Sequence, residues 1–556
     1  MSVMIVAIMD KDRKKLPKIH LEIQKHRKNC YGLIRSSYRE DGKVKHTNHG
    51  RISGLNLNDL KLIQLAIRGL VIPKNSAEAL HTSQAKEYGG SFALLELAKK
   101  IGLDKAIYSR PQEQWVKDSL AMIIGRIIYQ GSKLSLTNEY KNTALWELCS
   151  GIKGKVDVDK HCYEAMDELL KRQGFIQQKL INKHINKQEN NLILYDITSS
   201  YFEGEYQNSD LVKFGYNRDN KKGHEQIVIG LICNEVGCPV ATEVFSGNTQ
   251  DAQTVEDKIQ EIKNKYGIKD IIFVGDRGMV TKANNEKLNC IDGLKIISAL
   301  THPQIRELLK RKEIQLSLFD ERKIVEIIDS DDENRRYCLC KNLDTASRET
   351  KTRNELLDKT RKELEKIKQA KRKSNAAKIG ARVGKVLQKY KMGKFIDWYI
   401  ENEQLIWTIN TDKAAEEQLL DGCYIIWTDV EKELLNKEKV VAAYKNLRQV
   451  ETAFANIKTV LLELRPIYHK TDNRIKSHVF ICMLAYYLQW HFNQKLQPLF
   501  QTNSQGKNRE WTLQNVIRRL TMIHHEKAKL NGIEFDHVSA PENDQQYILD
   551  LLEIKL

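Results

Sequence analysis

The run Leu192-Ile-Leu-Tyr-Asp196-Ile197 is compact, rich in β-formers and almost wholly apolar, with one carboxylate near its end. It reads as a buried strand. His224 to Cys233 is a second such run, and the turn at Glu235-Val-Gly237 leads into a third from Pro239 to Phe245. Ile271-Ile-Phe-Val-Gly275 is a fourth, followed at once by Asp276. Ala252 to Tyr266 and Thr281 to Leu288 have helical periodicity, and Lys295 to Leu300 reads as a last strand. Three strands joined by tight turns and then by helical crossovers predict a mixed α/β sheet.

Asp196 and Asp276 each stand at the mouth of a buried strand. A carboxylate there carries a desolvation cost unless a cation offsets it. Taken singly, either one reads more readily as a cap on the following turn or helix. Two of them, on strands that can be neighbours, point to a cation site, and hard oxygen ligands suit Mg²⁺ or Mn²⁺. A third acid lies far downstream, in a helical stretch from Glu431 to Val460. There Tyr444, Arg448, Glu451, Ala455 and Lys458 follow i, i+4, i+7, i+11, i+14 spacing and share one helical face. An acid flanked by cations on one face suits a metal-bound phosphodiester. An exposed salt-bridged face is the plainer reading of the same pattern.

Outward from this core, residues 1 to 85 read as a small α+β region. Arg35 to Lys45 forms a predicted hairpin around Asp41-Gly42, and Asn56 to Leu70 a helix. Residues 86 to 188 read as helical. The first part of the sheet core spans 189 to 302. An insertion follows from 303 to 430, with strand-like runs at Lys323 to Ile328, Arg336 to Lys341, Gln404 to Ile409 and Cys423 to Thr428. Between them lies a long helical stretch, Arg348 to Lys394, with a break expected near Gly380 or Gly384. From Lys366 to Lys394 it has eleven Lys or Arg and no acid. That run reads either as a track for phosphates or as a solvated helix. Residues 431 to 495 complete the core with the third acid, and 496 to 556 are expected to be helical, a candidate for dimerisation.

The 556 residues carry a formal charge of +17 and are 41% apolar. The charge favours a polyanionic partner, since each Lys or Arg beside a phosphate displaces a counterion. Ten cysteines are scattered without a CxxC pair, as in a chain with reduced thiols. The apolar stretch Val3 to Met9 precedes its charges, which is the reverse of a signal peptide. Val479 to Trp490 is too short to span a bilayer. No membrane association and a cytoplasmic, nucleoid-associated location are therefore expected. His469 and His478 have no matching Cys/His set and read as structural.

These motifs together resemble the DDE transposases of bacterial insertion sequences, in the insertion-sequence-four superfamily and closest to its sixteen-thirty-four group. The resemblance runs from about residue 20 to about 495. It includes Leu192 to Phe202 around the first acid, Gly-Tyr-Asn-Arg-Asp219, Glu225 to Leu231, and Phe245-Ser-Gly-Asn-Thr-Gln-Asp251. It continues through Val274-Gly-Asp276-Arg-Gly-Met279, the spacing of seven and seven among Tyr444, Glu451 and Lys458, Leu464 to His469, and Arg474 to Phe480. One position departs. The superfamily places an Arg three residues after the Tyr, where this chain has Leu447, and Arg448 comes one residue later. On a helix that turns the guanidinium by about 100°.

The resemblance implies an RNase H-like core interrupted by a β-rich insertion. The gaps fit, with 175 positions between Asp276 and Glu451 against 80 between the aspartates. It implies two Mg²⁺ or Mn²⁺ ions held by Asp196, Asp276 and Glu451. Tyr444, Arg448 and Lys458 are implied to contact DNA. Terminal inverted repeats and target DNA are the implied partners, a homodimer the implied end-paired form, and the N-terminal 185 residues the implied end-binding part. Trp407 and Trp427 read as core, with stacking on an unpaired base as the alternative. A structure-selective nuclease and a non-catalytic DNA-binding descendant remain as rival readings.

Overall fold

The computed structural model describes the chain except residues 1–18, 27–28, 41, 69–79, 83–84, 186–190, 217–222, 250–255, 257–258, 261–262, 265–266, 281, 321–322, 371–374, 461, 502–510 and 531–532. Val3 to Met9, Asp41, Asp219, Asp251, Thr281 and most of the helix expected over Ala252 to Tyr266 therefore lie outside the described residues.

The chain forms two compact units. The smaller comprises Met1–Ala93, Asn138–Gly154 and Trp511–Leu556. Its strands Ile19–His26, Asn29–Glu40 and Lys43–Ile52 form an antiparallel meander, with Glu40 paired to Lys43 across the expected hairpin turn. Helix Leu57–Ile67 begins at Asn56, whose side chain accepts the Asn58 and Asp59 amides. Residues beyond 496 are not wholly helical as expected. His524–Leu530 and Ile533–Val538 form a hairpin whose first strand also pairs with Leu80–Thr82 and Lys86–Glu87. Pairing to residues far upstream, rather than local periodicity, fixes that strand.

The larger unit, Leu94–Thr137 with Lys155–Glu510, holds the sheet core. Helices α1 (Gln114–Ile128), α2 (Glu164–Lys171) and α3 (Gln173–His184) precede the sheet, as the sequence predicts. Strands β1 (Asn191–Tyr201), β2 (Gln226–Asn234) and β3 (Pro239–Ser246) run as an antiparallel meander. β4 (Ile271–Val274) returns parallel to β1, and β5 (Leu294–Ala299) lies parallel to β4. The order β5-β4-β1-β2-β3 matches the RNase H-like arrangement. Every residue of β2 and β4 is buried, so these strands read as continuous apolar runs.

The insertion joins this sheet instead of standing wholly apart. β6 (Val325–Ile328), β7 (Arg336–Lys341) and β10 (Cys423–Thr428) extend it to eight strands, with β10 antiparallel to β5. Thr428 Oγ1 donates to the Ile296 carbonyl at 2.7 Å across that seam. β8 (Ile396–Glu401) and β9 (Gln404–Ile409) form a separate ribbon. It packs on two helices, α4 (Leu343–Lys368) and α5 (Ala376–Tyr390), through Leu364, Ile367, Ile379, Val383, Ile396 and Leu405. The break between these helices precedes Asn375, whose side chain caps α5 by accepting the Lys378 amide. It does not fall at Gly380 or Gly384, both of which sit inside α5. Trp407 packs on this cluster and Trp427 is buried in β10, as expected of core residues.

The helical stretch after the insertion divides into α6 (Lys437–Lys445) and α7 (Leu447–Ala455), meeting at Asn446, and ends in a π-type turn over Asn456–Val460. Helix α8 (Asp472–Lys495) is buried almost all round, from Ser477 through Gln489 without interruption. That explains why its sequence is apolar without an amphipathic stripe. Among the described residues no helix is long and apolar enough to cross a membrane.

Candidate active site

The two aspartates meet because of register. β1 and β4 are parallel, and their last paired positions are Leu194 and Val274. Asp196 and Asp276 each lie two residues further on, level with one another, on strands about 4.8 Å apart. Both carboxylates are steadied by local backbone. Asp196 Oδ1 accepts the Ile197 amide at 2.8 Å, and Asp276 Oδ1 accepts the Arg277 amide at 2.7 Å.

Glu451 arrives from α7, which packs across β1 and β2. The helix is positioned by the β2–β3 turn. Asn446 Nδ2 donates to the Glu235 carbonyl at 3.2 Å. Gly237 has φ +80°, and a Cβ there would come within 2.2 Å of Gln449 Oε1. The absence of a side chain at 237 lets the helix lie this close.

Asp196, Asp276, Glu451, Tyr444 and Arg448 line one cleft of about 630 Å³. Tyr444 stands beside Asp276 in this cleft, and burial together with the charges of Asp276 and Glu451 raises its pKa well above the ordinary value. Tyr444 is thus a neutral donor throughout the physiological range.

Lys458 does not join them. It lines a neighbouring recess with Tyr201, Glu203 and Arg465. Its ammonium is nearly buried and donates to Thr198 Oγ1 at 2.9 Å, two residues beyond Asp196 on β1. The expected shared face assumed regular α-helical winding, and the π-type turn from Asn456 interrupts it.

The cleft also contains residues that sequence spacing did not single out. Arg277 and Lys445 add positive charge, and His302 stands at the start of helix His302–Lys310. Glu349, on α4, adds a fourth carboxylate, one oxygen of which accepts the Gly422 amide at 2.8 Å. Arg277 lay within a quoted motif. Glu349 gave no signal, because its partner lies on another element far along the chain. His478 is structural, as its lack of companions suggested. It is buried, 3.1 Å from the Leu464 carbonyl, 3.4 Å from Arg126 and 3.2 Å from Lys133.

No curated protein matches the chain. A family model described as a transposase DDE domain matches residues 187–488, more than half of the sequence and a span that contains all three acids. By that match the chain belongs to the DDE transposase family.

Proposed function

We propose that this protein binds transposon-end DNA, cuts it and joins it to target DNA by phosphoryl transfer at two divalent ions, as a transposase of the insertion-sequence-four superfamily and its sixteen-thirty-four group. The observation that carries the reading is the convergence of Asp196, Asp276 and Glu451 on one cleft within a DDE-family chain.

The donor set fits the ions. Three carboxylates from separate elements, with the neutral phenol of Tyr444 beside them, offer hard oxygen ligands. Two ions of the Mg²⁺ or Mn²⁺ class, when bound, supply an activated hydroxyl nucleophile and stabilise the leaving oxygen. Asp196, Asp276 and Glu451 would hold the ions. Tyr444, beside Asp276 at the same cleft, offers its neutral hydroxyl to phosphate oxygens. Arg277, Lys445 and Arg448, at the same cleft, offset phosphate charge and fix the DNA's position without reading its bases. Lys458, bound to Thr198, steadies the strand that carries Asp196 and meets backbone phosphate from the adjoining recess. The basic N-terminal meander is the proposed end-binding surface, and a homodimer the proposed form that pairs two ends.

Asp276→Asn tests the core of this reading. With DNA carrying the terminal repeats that flank the gene, the variant is expected to bind ends like the parent and to cut none of them in Mg²⁺. Normal nicking by that variant would overturn the metal chemistry. Cutting by the parent protein without any joining to target DNA would instead favour a nuclease.

A further inference from the structure

Away from the acidic cleft, three soft ligands come together. His184 closes α3, His491 lies in the last turns of α8, and Cys238 sits in the β2–β3 turn. One ring nitrogen from each histidine and the Cys238 sulfur all lie within 4.8 Å of one another. Cys238 is fully buried, and its amide is held by Asn234 Oδ1 at 2.9 Å, so the sulfur is presented from a rigid turn.

Two further observations point to a ligand. Nε2 of His491 is shut off from solvent and has no hydrogen-bond partner among the described residues. A buried polar nitrogen left this way is costly unless something outside the protein satisfies it. Nε2 of His184 lies 2.8 Å from the Tyr487 hydroxyl. A proton donated there leaves Nδ1 unprotonated, the arrangement by which an outer hydroxyl orients a metal-binding imidazole.

We infer that His184, Cys238 and His491 form a binding site for a zinc-class transition ion, distinct from the carboxylate cleft. Two imidazoles and a thiolate suit Zn²⁺ and disfavour Mg²⁺. Zinc at its ordinary bond lengths holds such atoms roughly 3.5 Å apart. Closing from within 4.8 Å to that spacing takes only a small rotation of two rings that are partly buried. A fourth ligand would complete the tetrahedron, and Cys238 gives up its proton as the sulfur–metal bond forms. The site ties two helices to the turn on which Asn446 and Gln449 of the Glu451-bearing segment rest. Its role is therefore to brace that segment.

Titration of the full-length, metal-stripped protein with Co²⁺ tests it. One equivalent is expected to produce a thiolate-to-cobalt charge-transfer band, displaced by one equivalent of Zn²⁺. Carboxylates give no such band, so ions in the cleft do not interfere. Cys238→Ser and His491→Ala should each lose it, and Tyr487→Phe should weaken Co²⁺ binding about tenfold. Cys238→Ser is in the core and its folding is checked by circular dichroism. His184→Ala and His491→Ala alter partly exposed positions and carry the test if that variant is unstable. No band in the parent protein, or an undiminished band in both histidine variants, would overturn the site.

Discussion

A single hydroxyl shows how finely the cleft depends on individual residues. Tyr444 stands in the field of Asp276 and Glu451 at the cleft. A hydroxyl that donates to a phosphate oxygen there contributes about 1.5–3 kcal/mol, so Tyr444→Phe should slow cleavage by roughly 10- to 100-fold. Because the phenol keeps its proton, the loss should be the same across the neutral range. A steep pH dependence of the defect would mean that Tyr444 acts as an acid and not as an orienting donor. Lys133 offers a second case, in the helical layer. It is enclosed beside Arg126 and the neutral His478, with His469, Cys162 and Cys482 around it, and burial lowers its pKa to about 7. An unfolded chain keeps that proton up to about pH 10.4. Between those values the unfolded state binds more protons, so this residue's contribution to stability rises with pH. Lys133→Met should therefore raise the unfolding midpoint most near pH 6 and least near pH 10. An equal shift at both would show that the lysine keeps its proton in the fold over that range, as it does in the unfolded chain.

At the scale of elements, the β2–β3 turn is the support for the third acid. Gly237→Ala places a methyl group against Gln449 at a positive φ. The backbone strain alone is of order 1–3 kcal/mol. The variant should unfold at lower temperature and cut DNA more slowly, while binding ends normally. Unchanged melting would mean that α7 does not lean on this turn. The same elements show what a sequence reveals. β1 and β4 were legible because each is a buried apolar run closed by an acid, and parallel pairing then brings Asp196 level with Asp276. Glu451 was legible through its spacing from Tyr444. The placement of Lys458 was not, since nothing in Asn456-Ile-Lys-Thr-Val460 announces a π-type turn. Nor was the hairpin beginning His524-His-Glu-Lys, whose partners Leu80–Thr82 and Lys86–Glu87 lie at the other end of the chain. The seam of β10 on β5 is likewise a tertiary pairing with no local signature.

Across the whole molecule, the formal charge of +17 is unevenly placed, and the insertion concentrates part of it. Helix α5 turns Ile379 and Val383 into its small core. Lys378, Arg382, Lys385 and Lys389 recur at i, i+4, i+7 and i+11, and all four are exposed. They form one stripe along a side of the helix that flanks the buried face. A helix solvated by chance has no need of such a stripe, whereas a phosphate backbone does. Each phosphate neutralised adds about 0.9 to the slope of log K against log salt on duplex DNA. Replacing all four by Gln should therefore lower that slope by about 3 to 4. Folding stability should stay within about 0.5 kcal/mol, because none of the four is buried. Measuring end binding over a range of salt for the parent and the fourfold variant separates the two readings of the basic segment. An unchanged slope would make it a solvated helix, and the DNA contacts would then have to come from the cleft rim and the N-terminal meander alone.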